Sequence, residues 1–161
     1  MYSCIAGFVD VGETLFDCLK REVAEEGGVE LLPDSPCEII SSQHWPFPAG
    51  SLMMGCMVYA DPAATRPSKD DLSGEIEDVA WFTASQVRSA LDFIDTNPKM
   101  RLEGSSDGSL FVPPKGTIAN QMLTAWIKKY HKGHFGLDSI SIRLASETKA
   151  PLWSFIFKCV P

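Results

Sequence analysis

Between Gly7 and Val29 the chain reads GFVDVGETLFDCLKREVAEEGGV, with three glutamates crowded near the end of a helical pattern. Leu15, Leu19 and Val23 recur every four residues, which predicts a helix from Thr14 to about Glu26 with one apolar face. Thr14, with Asp17 three positions on, supplies an N-terminal cap, and Gly27-Gly28 supplies the stop. On that helix Glu22, Glu25 and Glu26 stand at i, i+3 and i+4 and share one face. Like charges so placed oppose the helix by roughly 0.2–0.5 kcal/mol per pair. They also lie toward its C-terminal end, where the macrodipole disfavours anions. A hard divalent cation held by carboxylate oxygens reverses the sign of that energy. Taken alone, the cluster fits a solvated acidic face as well.

The rest of the chain narrows the setting. Its 161 residues, 45% apolar and 22% charged, suffice for one domain with a real core and exclude a disordered chain. No apolar run approaches the roughly 18 residues of a membrane span, and no secretory signal or transit segment is legible at the start. Five scattered cysteines without a CxxC pair suit the reduced thiols of an intracellular protein better than a disulfide framework or a zinc site. A net charge of −7 argues against sequence-independent nucleic-acid binding, which rests on Lys and Arg contacts to phosphate. An acidic protein acting on a phosphate-bearing substrate then needs local positive charge, and a divalent metal is an economical source.

Strands are expected at residues 4–11, 29–32, 37–42, 51–60, 75–82, 139–144 and 153–157, and helices from Thr83 and from about Thr117 to Lys132. Their alternation points to an α/β or α+β layered domain.

The stretch from Gly7 to Val29 fits G-x5-E-x7-R-E-U-x-E-E-x-G-U, with U aliphatic, at every fixed position. In this it resembles the Nudix hydrolases. The resemblance implies that Glu22 and Glu26 are the principal metal ligands and that Glu25 is a further catalytic carboxylate. It implies that Arg21 holds a ligand carboxylate in place, and that the Ala6 carbonyl completes the metal site. Arg21 paired with Glu25 on an exposed helix face is the plainer alternative, worth a few tenths of a kcal/mol, roughly. Gly7 and Gly28 fit as backbone positions in the loops around the helix. The implied cofactor is Mg2+ or Mn2+.

A second motif, Ser42-Gln43-His44-Trp45-Pro46-Phe47-Pro48-Ala49-Gly50-Ser51, resembles the SQPWPFPxS signature of the NADH pyrophosphatase branch of that family. Two aromatics held by Pro46 and Pro48 make a stiff platform on which a nucleobase can stack, while Gln43 and Ser51 offer hydrogen bonds. A hydrophobic loop packed on the core or at a dimer contact is the alternative, and the two readings coexist where relatives form the site at a homodimer contact. His44 replaces the usual proline and one residue is added before Ser51, a variant similar to the mitochondrial form of the branch. Further on, Glu75-Ile-Glu77-Asp-Val-Ala-Trp81 resembles the segment whose first glutamate joins the metal site. That role falls to Glu75, with Glu77 on the same face of a strand as the fallback. Phe111-Val-Pro-Pro-Lys-Gly-Thr-Ile-Ala119 resembles the segment leading into the last helix, where Ala119 lines the substrate pocket.

The resemblance thus implies an α/β fold, the Nudix α/β/α sandwich with a mixed sheet. It covers residues 1–132 as a Nudix domain, with 133–161 as a tail of unknown role. Relatives carry strands ahead of the box, which here begins at Gly7, so the sheet is expected to lack its first strands. The implied activity is metal-dependent hydrolysis of the pyrophosphate of NADH or NADPH to reduced nicotinamide mononucleotide and AMP. The implied partners are the dinucleotide and a second copy of the chain, with no membrane and no stable nucleic-acid partner. The alternatives are another dinucleotide, such as ADP-ribose or the NAD cap of an RNA, and a catalytically silent nucleotide-binding or dimerisation module. The implied location is mitochondrial, with the cytosol as the alternative.

Overall fold

The first helix forms where its caps predict. In the computed structural model, which describes residues 3–28, 30–46, 50–59, 82–97, 110, 112–131 and 152–159, α1 spans Leu15–Gly27. Thr14 adopts an extended conformation and its Oγ1 accepts from the Asp17 amide, filling one of the helix's orphan donors. Gly28 ends the helix at φ 59°, a left-handed conformation that glycine adopts without strain.

Around it stand β1 (Ile5–Phe8), β2 (Glu38–Trp45), β3 (Ser51–Tyr59) and β4 (Leu152–Cys159), with α2 (Ala84–Thr96) and α3 (Ile118–His131) between β3 and β4 in sequence. The sheet runs β1-β4-β3-β2. β4 is parallel to β1 and antiparallel to β3, and β3 is antiparallel to β2, so the sheet is mixed. A strand from the end of the chain therefore joins β1 to the β3–β2 hairpin.

Period-two alternation on β3 feeds two cores. Cys56 and Val58 pack with Cys18, Leu19 and Val23 of α1, with Met54 beside them. Met53 and Met57 pack with Ile118, Ala119 and Met122 of α3 on the opposite face. The sheet is thus a layer between α1 and α3, an α/β sandwich. Gly55 permits the close approach of α3, since a Cβ there would stand 2.5 Å from Met122 Sδ. α2 packs on α3 through Ala90, Leu91, Ile94 and Leu123, and begins at a full capping box between Thr83 and Gln86. No helix among the described residues is long and apolar enough to cross a membrane.

Some expectations needed adjustment. β1 stops at Phe8, because Asp10–Glu13 close a turn with Gly12 at φ 84°. Residues 30–32 hold only an isolated bridge at Leu31 before the turn at Pro33-Asp34, and Leu32 N donates to Tyr59 O. Residues 75–81 and 139–144, read as strands, lie outside the described residues.

Candidate functional site

The turn after β1 determines how the acidic helix is wired. Glu13 N donates to Asp10 O at 3.0 Å, and Asp10 N donates back to Glu13 Oε2 at 3.0 Å. This folds the Glu13 carboxylate over the turn toward α1, two helical turns along which Arg21 stands. Arg21 grips both Glu13 oxygens, Nε on Oε1 and Nη2 on Oε2, each at 2.9 Å. Nη1 donates to Glu22 Oε1 at 2.8 Å and to Glu25 Oε2 at 3.2 Å, and Nη2 also donates to Phe8 O at 3.0 Å. A guanidinium has five N–H donors, and all five find an oxygen here. The bond from Arg21 and the backbone bond from Asp10 hold the Glu13 carboxyl down to about 2. Glu13, a fixed position of the motif to which the sequence assigned no role, is the anchor of the arrangement.

Glu22 is buried although it is charged. Its carboxylate lies against Gly7 of β1, where a Cβ would stand only 1.9 Å from Cδ and Oε1. Glycine at that place is a matter of space. Oε1 is held by Arg21, while Oε2 takes no hydrogen bond from the described residues. Glu26 follows one helical turn later with its Oε2 buried, and Glu25 is more exposed. Beneath them the Cys18 thiol donates to Phe8 O at 3.3 Å, and burial, with Glu13 nearby, pushes it up to about 12. It is an inert thiol at neutral pH.

The donors expected from the sequence motif are carboxylate oxygens and, at Ala6 one residue before Gly7, a backbone carbonyl. Such hard oxygens fit a hard divalent cation rather than a soft one. Among the described residues no three His, Cys, Asp or Glu side chains gather as a metal set. Glu75 and Glu77 lie outside the described residues.

The second motif occupies the opposite edge of the described sheet, on β2 and its turn into β3. Three strand spacings separate the two edges, about 14 Å. Trp45 is 38% exposed and pairs across the ladder with Ser51, while His44 is exposed and pairs with Leu52. Phe47 lies outside the described residues. Ser51 is buried, and Ala119 is packed in the core between α3 and β3. The Gln43 amide reaches across to α3: its Oε1 accepts from Ile118 N and its Nε2 donates to Gly116 O, both at 2.8 Å. No signal in the sequence announced that bond, since its partners lie more than 70 residues away.

Comparison with known proteins places the motif in a family. Residues 2–102 match the NUDIX domain. The chain is 37% identical over 131 residues to the mitochondrial NAD(P)H pyrophosphatase NUDT13 of Homo sapiens, covering 80% of this chain and 34% of that protein. It is 38% identical over 128 residues to the NAD-capped RNA hydrolase NUDT12 of Homo sapiens, covering 80% and 24%. To the NAD-capped RNA hydrolase NudC of Mycobacterium tuberculosis it is 36% identical over 126 residues, covering 78% and 36%. The chain spans about a third or less of the length of these relatives. With the motif, the layered fold and these matches in agreement, the chain belongs to the Nudix family.

Proposed function

We propose that this protein hydrolyses the pyrophosphate of NADH or NADPH, giving reduced nicotinamide mononucleotide and AMP. The observation that carries this reading is the Arg21 hub, which fixes Glu13, Glu22 and Glu25 around one guanidinium and holds Glu22 by Oε1, with no bond to Oε2 from the described residues. Fixing those carboxylates in advance removes the ordering cost that three like charges would otherwise impose at the moment of reaction.

The residues to hold a divalent cation are Glu22 and Glu26, with the Ala6 carbonyl and Glu75. Mg2+ or Mn2+, when bound, neutralises phosphate charge and lowers the pKa of water. Glu25 or Glu26 accepts the proton of the attacking water. Glu25 Oε1 is the candidate atom on that residue, because Oε2 is engaged by Arg21. Arg21 itself does not touch the substrate; it keeps the Glu22 carboxylate aimed. Trp45 and Phe47 supply the stacking surface for the base, and the exposed His44 supplies a polar edge. Since platform and carboxylates occupy opposite edges of the described sheet, a second copy of the chain offers its platform to this site, consistent with a homodimer. The mitochondrial location rests on the likeness to the human pyrophosphatase.

A second reading is favoured by the NAD-capped RNA hydrolases among the relatives: the same bond is cut in the NAD cap of an RNA. The net charge of −7 weighs against a long RNA. Purified protein with Mg2+ should release AMP from NADH, and Glu22→Gln should abolish release while leaving the fold intact. Equal turnover by that variant would sink the mechanism, and preference for capped RNA in a competition assay would select the second reading.

A further inference from the structure

We propose that Gln43 is a positioning residue: its amide clamps the N-terminus of α3 to the end of β2 and thereby sets where Trp45 stands. The clause about Trp45 rests on the reading above, in which that side chain receives the base. The clamp itself rests only on geometry. Ile118 is the first residue of α3, and its N–H is one of the orphan donors that every helix start must satisfy. Gln43 Oε1 satisfies it from a different element, while Gln43 Nε2 takes the carbonyl of Gly116 just outside the helix. One side chain thus holds both sides of the turn into α3.

The turn is built to receive it. Gly116 sits at φ 93°, where a side chain is strained although nothing crowds the position. Thr117 Oγ1 donates to Pro114 O at 2.8 Å and accepts from Asn120 N at 3.3 Å. The buried Asn120 donates from Nδ2 to Pro113 O at 3.0 Å. These bonds fix the turn from within and leave the Ile118 N–H and the Gly116 carbonyl to Gln43. Two further polar contacts run along the same seam, Ser41 Oγ donating to Gln121 Oε1 at 2.7 Å and Lys129 paired with Glu38. Edge strand and helix are stitched at three levels, and the last stitch lies two residues before Trp45. On a strand, residues two apart share a face, so the clamp and the indole stand on the same side of the sheet. Held by α3 through one donor and one acceptor, the Gln43 amide acts, in this proposal, on the ligand through Trp45.

Two substitutions separate positioning from contact. Gln43→Met keeps the length and removes both polar arms, whereas Gln43→Glu keeps an acceptor for Ile118 N and loses the donor to Gly116. In Gln43→Met, hydrogen exchange at the Ile118 amide should accelerate about tenfold. The KM for NADH should rise about tenfold with kcat within about twofold, as expected when ground-state and transition-state binding weaken together. Gln43→Glu should retain the Ile118 protection and much of the low KM. The emission of Trp45, isolated by comparison with Trp45→Phe, should shift in Gln43→Met. Unchanged Ile118 exchange in Gln43→Met overturns the clamp. A raised KM with Ile118 still protected, or Trp45 emission unmoved while protection is lost, overturns positioning in favour of direct contact or of a purely structural bond. If the wild-type protein does not turn over NADH, the proposed activity fails, and exchange and emission still decide the clamp.

Discussion

Gly7→Ala is the sharpest perturbation of the site, because its cost falls almost entirely on one functional group. The new methyl would stand 1.9 Å from Cδ and Oε1 of Glu22, where ordinary contact starts at 3.4 Å, so the carboxylate must retreat by about 1.5 Å. What it meets is the end of a flexible side chain rather than backbone. The strain is relieved by rotating Glu22 off its preferred rotamer, about 0.5–1.5 kcal/mol, partly offset by the gain of replacing glycine within a strand, about 0.5–1 kcal/mol. At roughly 2–4 °C per kcal/mol for a chain of this size, the melting temperature should fall by only a few degrees. Function is hit harder. The Arg21–Glu22 bond of 2.8 Å is lost or rebuilt elsewhere, and misplacing a reacting group by about 1 Å costs on the order of 100-fold in rate. That corresponds to about 2.7 kcal/mol of transition-state stabilisation. The assay pairs AMP release from NADH with a thermal melt with and without Mg2+. A folded variant with about 1% of wild-type turnover and a diminished Mg2+-dependent rise in melting temperature is expected. Wild-type turnover in a folded Gly7→Ala protein would refute the placement of Glu22 against β1.

Two further outcomes follow from the same structure. Glu13 is held at about 2 from an ordinary value of 4.5, so its contribution to stability is present above about 4.5 and is lost as pH falls toward 2. The difference in melting temperature between the wild type and Glu13→Gln should therefore shrink through that window, and a constant difference would show that Glu13 does not titrate there. A chain ending at Lys132 lacks β4, which pairs β1 on one side and β3 on the other. It should show no cooperative unfolding in a urea titration, and a wild-type midpoint would show that residues 133–161 are dispensable to the fold.

The contrast between α1 and β4 shows how far sequence reading reaches. Thr14, Asp17 and Gly28 fix the ends of α1 through contacts within a few residues, so its bounds and its acidic face were legible from spacing alone. The same locality placed Glu22, Glu25 and Glu26 together and gave Arg21 its carboxylate partner. Residues 153–157 read as a strand from their own pattern, and β4 spans Leu152–Cys159, but nothing in that pattern says which strands it joins. Gln43 was legible as a polar group in an aromatic loop, whereas its partners on α3 were not, because the bond spans 73 and 75 residues. Ser51 and Ala119 were expected at the substrate pocket from the motifs around them; both are buried, Ala119 among Met53, Met57, Ile118 and Met122, which no local pattern announced.

The sequence by itself determined the acidic helix, its caps and the set of groups available for chemistry, because each depends on neighbours within one or two turns of the chain. Tertiary structure alone decided that Glu13 reaches back over its turn to anchor Arg21, and that the space beside Gly7 receives the Glu22 carboxylate. It also decided that a strand from the far end of the chain completes the sheet beneath them. Those outcomes depend on which surfaces meet, and a hydrogen bond or a steric gap between distant residues leaves no period in the sequence to read.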